Sequence, residues 1–175
     1  MAHERKQMKQ LYFIRHGQSE LNLLGIVTGS IDSPLTDTGR LQAKLAAADI
    51  KNLGVDLIVT SNLSRARETA NIIANEIGYN ASDVISDELF TEQACGSFEG
   101  KVCATPPCLV DCPGAETDDQ LMLRAKKGLD YLKTLQADTI LLVSHGAYSR
   151  ALRATVHSEA ITAEEPDNAK VVQFI

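Results

Sequence analysis

The chain has 175 residues, enough for one domain whose core can stand alone. Its 44% hydrophobic and 23% charged residues are those of an ordinary globular protein. A formal net charge of −6 excludes a nucleic-acid partner held by a broad basic surface, so an anionic ligand must be met by a local cluster of arginines.

Residues 1–10 form a polar leader. The apolar run that follows is too short for a signal peptide or a membrane span, so a cytoplasmic protein without a membrane partner is expected. That run, Leu11-Tyr12-Phe13-Ile14, is rich in strand-forming types and ends at Arg15-His16-Gly17. Glycine after the histidine lets the backbone turn and approach a ligand. Ser19 and Asn22 are short polar groups that could donate to an anion or serve equally as turn or cap residues. Residues 25–34 read as a loop from their Gly, Ser, Asp and Pro content. Thr36 then caps a helix closing near residues 52–54, and the spacing of Leu41, Leu45 and Ala48 predicts its core face.

A second strand is expected over Val55-Asp56-Leu57-Ile58-Val59. The next helix carries Ala66, Ala70, Ile73 and Ile77 on one face and ends at Gly78. Arg65 and Arg67, two apart, point to different sides. Arg65 adjoins Ala66 near the turn leaving the strand and is taken as the inward one, a surface salt bridge being the equal alternative. A short extended segment is expected over residues 83–89, ahead of Glu92.

Residues 93–115 are irregular, as a binding rim or lid would be. They hold Cys95, Cys103, Cys108 and Cys112. In a reducing compartment these are expected to be free thiols, and the spacing lacks the paired C-x-x-C of a zinc site. Leu121, Ala125, Leu129 and Leu132 mark the buried face of a further helix. The run Thr139 to Ser144 repeats the opening pattern, since it leads into His145-Gly146 and another helix, and residues 171–175 supply a last strand. The alternation of strand and helix predicts one α/β domain over residues 1–175, a three-layer α/β/α sandwich with a mostly parallel central sheet and right-handed crossovers. Ligands collect at the carboxyl ends of strands in such sheets, so two strand-end histidines could face one ligand, and Arg15 suggests that it is anionic.

Taken together, these residues resemble the histidine phosphatase superfamily, whose fold is phosphoglycerate mutase-like. Arg15-His16-Gly17-Gln18-Ser19-Glu20-Leu21-Asn22 is similar to the family's R-H-G-x-[ST]-x-x-N. Thr28-Gly29 through Pro34-Leu35-Thr36 and Gly39 resemble its next segment, and Ser61 through Thr69-Ala70 the helix with its second arginine. Leu89, Glu92, Gly96 and Glu99-Gly100 resemble its acid/base segment, and Ser144-His145-Gly146 its second histidine. The resemblance implies that His16 is a nucleophile passing through a phosphohistidine, and that Glu92 is proton donor and then base. It implies that Arg15, Arg65, a protonated His145, Asn22 and the Gly146 amide bind the phosphoryl group, helped by the dipole of the following helix. Ser19, Thr28 and Gly29 would line the substrate pocket, and no metal or other cofactor is implied.

Leu21 and Phe98 stand where relatives often carry an aromatic residue and a tryptophan, exchanges that leave the chemistry alone. The stretch between Gly100 and Gly114 is too short for the insertion that retains a mutase's bisphosphate, which favours hydrolysis of a small phosphorylated metabolite. A cofactor-dependent phosphoglycerate mutase and a non-catalytic phosphate- or phosphoprotein-binding module are the alternatives.

Overall fold

The computed structural model describes residues 7–103, 109 and 111–175, so Cys108 and the first six residues of the polar leader lie outside the described residues. Strand β1 (Gln10–Arg15) leads through a capped turn, α1 (Glu20–Leu23), to helix α2 (Asp37–Ile50). Strand β2 (Leu57–Ser61) is followed by α3 (Ser64–Ile77), the short edge strand β3 (Ile85–Asp87) and α4 (Asp118–Thr134). Strand β4 (Thr139–Ser144) then feeds α5 (Gly146–His157), and β5 (Val171–Gln173) closes the sheet.

The sheet order is β3-β2-β4-β1-β5. The first four of these strands are parallel, while β5 pairs antiparallel with β1 at the edge. The central strands are unbroken apolar runs because both faces are covered. Alternation along β1 sorts its side chains. Leu11 and Phe13 pack with Leu129, Leu132 and Leu152 of α4 and α5, while Tyr12 and Ile14 pack with Ile50, Ala70 and Ile73 of α2 and α3. This is the expected α/β/α arrangement.

Helix boundaries follow their caps. Thr36 Oγ1 accepts from the Gly39 amide at 3.0 Å, and α3 ends at Gly78 in the left-handed region at φ 77°. Leu121, Ala125, Leu129 and Leu132 form the buried face of α4 as expected.

The face expected for α2 is corrected. Leu41 and Leu45 are 56% and 65% exposed and Ala48 is exposed too, while Gly39, Ala43, Ala46, Ala47 and Ile50 are buried. The cause is backbone approach. A Cβ at Gly17 would lie 2.3 Å from the Gly39 carbonyl oxygen, and one at Gly39 would lie 2.1 Å from that of Gln18. The first turn of α2 is thus pressed onto the segment after β1, and only a stripe of small residues fits between α2 and α3. Gly17 is needed for this contact. Strand β2 also begins two residues later than expected, and β5 stops at Gln173 instead of Ile175.

Candidate active site

The parallel register of β1 and β4, with Arg15 opposite Ser144, brings the two strand ends level. His16 donates its amide to the Ser144 carbonyl at 3.0 Å. The two imidazoles therefore meet, their ring centroids 5.1 Å apart. Beside them opens a cavity of ≈ 390 Å³. Arg15, His16, Asn22, Thr28, Gly29, Arg65 and Glu92 all line it. Of the other residues expected at the site, Ser19, His145 and Gly146 do not line it: His145 is buried behind His16, and Gly146 begins the helix whose next residue, Ala147, does.

His16 is 2% exposed. Its Nδ1 lies 2.7 Å from the Gly17 carbonyl oxygen. A carbonyl only accepts, so the proton sits on Nδ1 and Nε2 carries the lone pair. Arg65 Nε donates to that lone pair at 3.2 Å. Burial, then the Arg65 charge, hold the His16 pKa well below the usual 6.5. The result is a neutral imidazole of fixed tautomer, its free nitrogen turned toward a guanidinium. Asn168 anchors the same residue from the chain's other end, donating Nδ2 to the His16 carbonyl at 2.7 Å.

Arg65, buried in the first turn of α3, also donates to the carbonyls of Gly29 at 3.0 Å and Ile31 at 2.8 Å. Those two loop contacts fix the plane of its guanidinium. Arg67 is exposed, as the two-residue offset requires.

His145 is corrected in its charge. It is fully buried, and desolvation followed by the Arg65 charge lowers its pKa well below 6.5, so it is neutral. Its Nε2 lies 2.8 Å from Ser61 Oγ, which already accepts the Leu63 amide at 3.2 Å. The serine hydrogen is free to go to Nε2, leaving His145 Nδ1 protonated. Among the described residues three buried side-chain atoms have no partner: Arg15 Nε, His145 Nδ1 and Tyr148 Oη. Two of the three belong to residues expected to hold a phosphoryl group.

Glu92 sits at the amino end of α5. Its carboxylate accepts from the Tyr148 amide at 3.2 Å, the Ala147 amide at 3.4 Å and the Gln93 amide at 2.9 Å. The first two are helix-end donors without intrahelical partners. Arg124 of α4 holds the main chain beneath, donating to the carbonyls of Leu89 at 3.0 Å, Thr91 at 2.8 Å and Glu92 at 3.3 Å. Glu116 fixes Arg124 in turn, at 2.8 and 2.6 Å.

Ser19 does not line the cavity. It is buried as the cap of α1, its Oγ accepting from the Asn22 amide while Asn22 Oδ1 accepts from the Ser19 amide. Gly146 opens α5 with no side chain, which leaves room for Glu165: a Cβ there would lie 2.0 Å from Glu165 Oε2. Sequence reading quoted Ser61 only as the start of the Arg65 motif and gave it no role, and it did not single out Arg124, Arg150, Glu165 or Asn168. Each acts through a long-range contact, and the last four sit in no local pattern that marks them.

Cys95 and Cys103 line the cavity, and the described thiols Cys95, Cys103 and Cys112 are free. Burial, with Glu92 and Glu99 nearby, pushes the Cys95 thiol up to about 12, so it is an inert wall group. Among the described residues no group of three or more His, Cys, Asp or Glu side chains is set to hold a metal ion, and no helix is long and apolar enough to cross a membrane.

Comparison with known proteins gives one consistent picture. A family model described as "Histidine phosphatase superfamily (branch 1)" matches residues 11–174. A "Probable phosphoglycerate mutase GpmB" from Photorhabdus laumondii is 33% identical over 166 residues, covering 85% of this chain and 75% of that one. A "Putative phosphoserine phosphatase 2" from Hydrogenobacter thermophilus is 31% identical over 159 residues, covering 83% and 77%. A solved mycobacterial glucosyl-3-phosphoglycerate phosphatase complexed with VO3 superposes with a TM-score of 0.83 at 25% identity, covering 94% of this chain and 92% of that one.

Proposed function

Because the chain belongs to the histidine phosphatase superfamily, branch 1, over residues 11–174, we propose that it hydrolyses small phosphomonoesters through a phosphohistidine formed on His16. The reading rests on one observation above the rest. Arg15 Nε and His145 Nδ1 are buried donors without an acceptor. Such a group costs about 1–3 kcal/mol when left unpaired. A bound phosphoryl group supplies acceptor oxygens to both.

In the first step His16 Nε2 attacks phosphorus while the bond to the leaving alkoxide breaks, and Glu92 delivers a proton to that oxygen. In the second, Glu92 takes a proton from water, the water oxygen attacks phosphorus, and the P–N bond breaks to restore His16. The Gly17 carbonyl holds the ring in the tautomer this needs, and stabilises positive charge on the imidazole when Nε2 becomes bonded. Arg15 and Arg65 meet the spreading oxygen charge, with neutral His145 as a directional donor and the α5 amino end behind them. Asn22, Thr28 and Gly29 line the approach.

Hydrolysis is favoured over mutase action because the stretch between Gly100 and Gly114 is too short for an insertion that would retain a bisphosphate, and its first residues are tied to the loop after α1. The Val27 amide donates to the Lys101 carbonyl and the Gly100 amide to the Val27 carbonyl, both at 2.9 Å. A cavity of ≈ 390 Å³ suits a small metabolite. The test is turnover of an aryl phosphate by His16→Ala and Glu92→Gln. The first is expected to lose nearly all activity and the second roughly 10²–10⁴-fold in kcat. Undiminished turnover in His16→Ala refutes the reading, and rapid isomerisation of 3-phosphoglycerate with 2,3-bisphosphoglycerate, without phosphate release, converts it to a mutase.

A further inference from the structure

Beyond the phosphoryl-binding groups, the cavity wall carries a carboxylate that this chemistry does not use. Glu165, on the segment between α5 and β5, lines the cavity together with Arg150 of α5. Its Oε2 is 3.2 Å from Arg15 Nη1 and its Oε1 is 4.0 Å from Arg150 Nη1. Arg150 is engaged further, donating Nε to the Thr162 carbonyl at 2.5 Å, with Nη2 4.0 Å from Asp118 Oδ2.

The charges can then be assigned. Among the described lining residues the cations are Arg15, Arg65 and Arg150, and the carboxylates are Glu92 and Glu165. Arg65 faces His16 and each of its nitrogens already has a partner, while Arg15, the phosphoryl-binding candidate at the end of β1, lies against Glu165. Arg150 is the lining cation left for the rest of a substrate, and two carboxylates flank it. A substrate carboxylate entering beside Arg150 meets Glu165, and Arg150 is already shared between Glu165 and Asp118. A hydroxyl or ammonium group meets an acceptor that is already anchored.

We propose that Glu165 is a specificity-determining residue, making this cavity select phosphomonoesters whose alcohol part presents hydroxyl or ammonium donors and reject those bearing a carboxylate beside the phosphate. The inference rests on the phosphoryl-transfer reading above. It separates this chain from relatives whose names refer to phosphoserine and glucosyl-3-phosphoglycerate, both of which carry a carboxylate.

The test compares glycerol 3-phosphate with 3-phosphoglycerate, which differ at one carbon, as CH2OH against a carboxylate. The purified full chain and Glu165→Gln are assayed for kcat/KM on each, with p-nitrophenyl phosphate as the reference substrate. The native protein is expected to prefer glycerol 3-phosphate, and Glu165→Gln to shift the ratio at least tenfold toward 3-phosphoglycerate. Its kcat/KM on the aryl phosphate should change less than that ratio does. A native preference for 3-phosphoglycerate, or a ratio unmoved by the variant, overturns the inference while leaving the hydrolase reading intact. Absence of turnover on all three compounds instead overturns the hydrolase reading and the inference with it. Should Glu165→Gln fail to fold, competitive inhibition of aryl phosphate hydrolysis by the two compounds decides on the native protein. Tighter binding of glycerol 3-phosphate supports the inference and tighter binding of 3-phosphoglycerate overturns it.

Discussion

Two neighbours and burial set the state of His16. The Gly17 carbonyl fixes its proton on Nδ1, Arg65 Nε points at its free nitrogen, and burial keeps it neutral. Nitrogen-resolved NMR of the imidazoles should therefore show His16 as the neutral Nδ1–H tautomer at pH 6.5, and an Nε2–H form would contradict this. Replacing Arg65 by Met removes a positive charge that lowers the His16 pKa, so its titration should move upward. The same substitution should cost at least tenfold in kcat/KM, because the buried clamp is lost. The inward turn of Arg65 is legible in the sequence, since its offset from Arg67 and its place beside Ala66 point it toward the sheet edge. The charge of His145 is not. A strand-end histidine near arginines reads as a good cation for phosphate, yet complete burial, reinforced by those same arginines, drives the proton off. Only the fold brings Ser61 to its Nε2 and closes that nitrogen off from other partners.

At the scale of elements, the misread face of α2 carries its own test. Leucine spacing suggests one stripe, but backbone contact at Gly17 and Gly39 selects the other. Ala43→Leu should overpack the α2–α3 seam and cost about 1–3 kcal/mol in urea unfolding. Leu45→Lys, on the exposed face, should stay within about 0.5 kcal/mol. Equal effects would mean the helix is rotated from the position described. Helices α3 and α4 are legible because Gly78 closes α3 and the stripe Leu121, Ala125, Leu129 and Leu132 faces inward, while the Thr117 cap of α4 is seen only in the structure. The placing of Glu92 depends on α4 as well. Arg124→Met should leave the carbonyls of Leu89, Thr91 and Glu92 and the Glu116 carboxylate short of donors. Its expected signature is a fall in kcat larger than the change in KM, with Arg124→Lys restoring part of the activity.

For the whole molecule, the candidate site depends on distant segments converging. β1 brings Arg15 and His16, α3 brings Arg65, the segment after β3 brings Glu92, and β4 brings His145. The order of these stretches is legible from strand-then-histidine patterns and α/β alternation, while the polar contacts joining them, such as Asn168 to His16, leave no mark in sequence. Packing two imidazoles into this junction has a thermodynamic consequence. Both have folded-state pKa values below 6.5, whereas an unfolded imidazole takes up its proton near that value. Above pH 6.5 neither state is protonated and nothing is lost. As pH falls below 6.5 the unfolded chain binds the extra protons, and stability should drop by about 1.4 kcal/mol per pH unit for each imidazole until its folded pKa is reached. Urea midpoints between pH 7.5 and 5.5 should show this fall, with a shallower slope in His145→Asn, and identical slopes would contradict it.

The central claim is a covalent phosphoryl group on one named nitrogen. Rapid quenching of the enzyme with a 32P-labelled aryl phosphate, followed by peptide mapping, tests it directly. The account predicts an acid-labile, alkali-stable label on the peptide containing His16, more abundant in Glu92→Gln and absent in His16→Ala. A label on any other residue, or steady hydrolysis with no label trapped in Glu92→Gln, would contradict it.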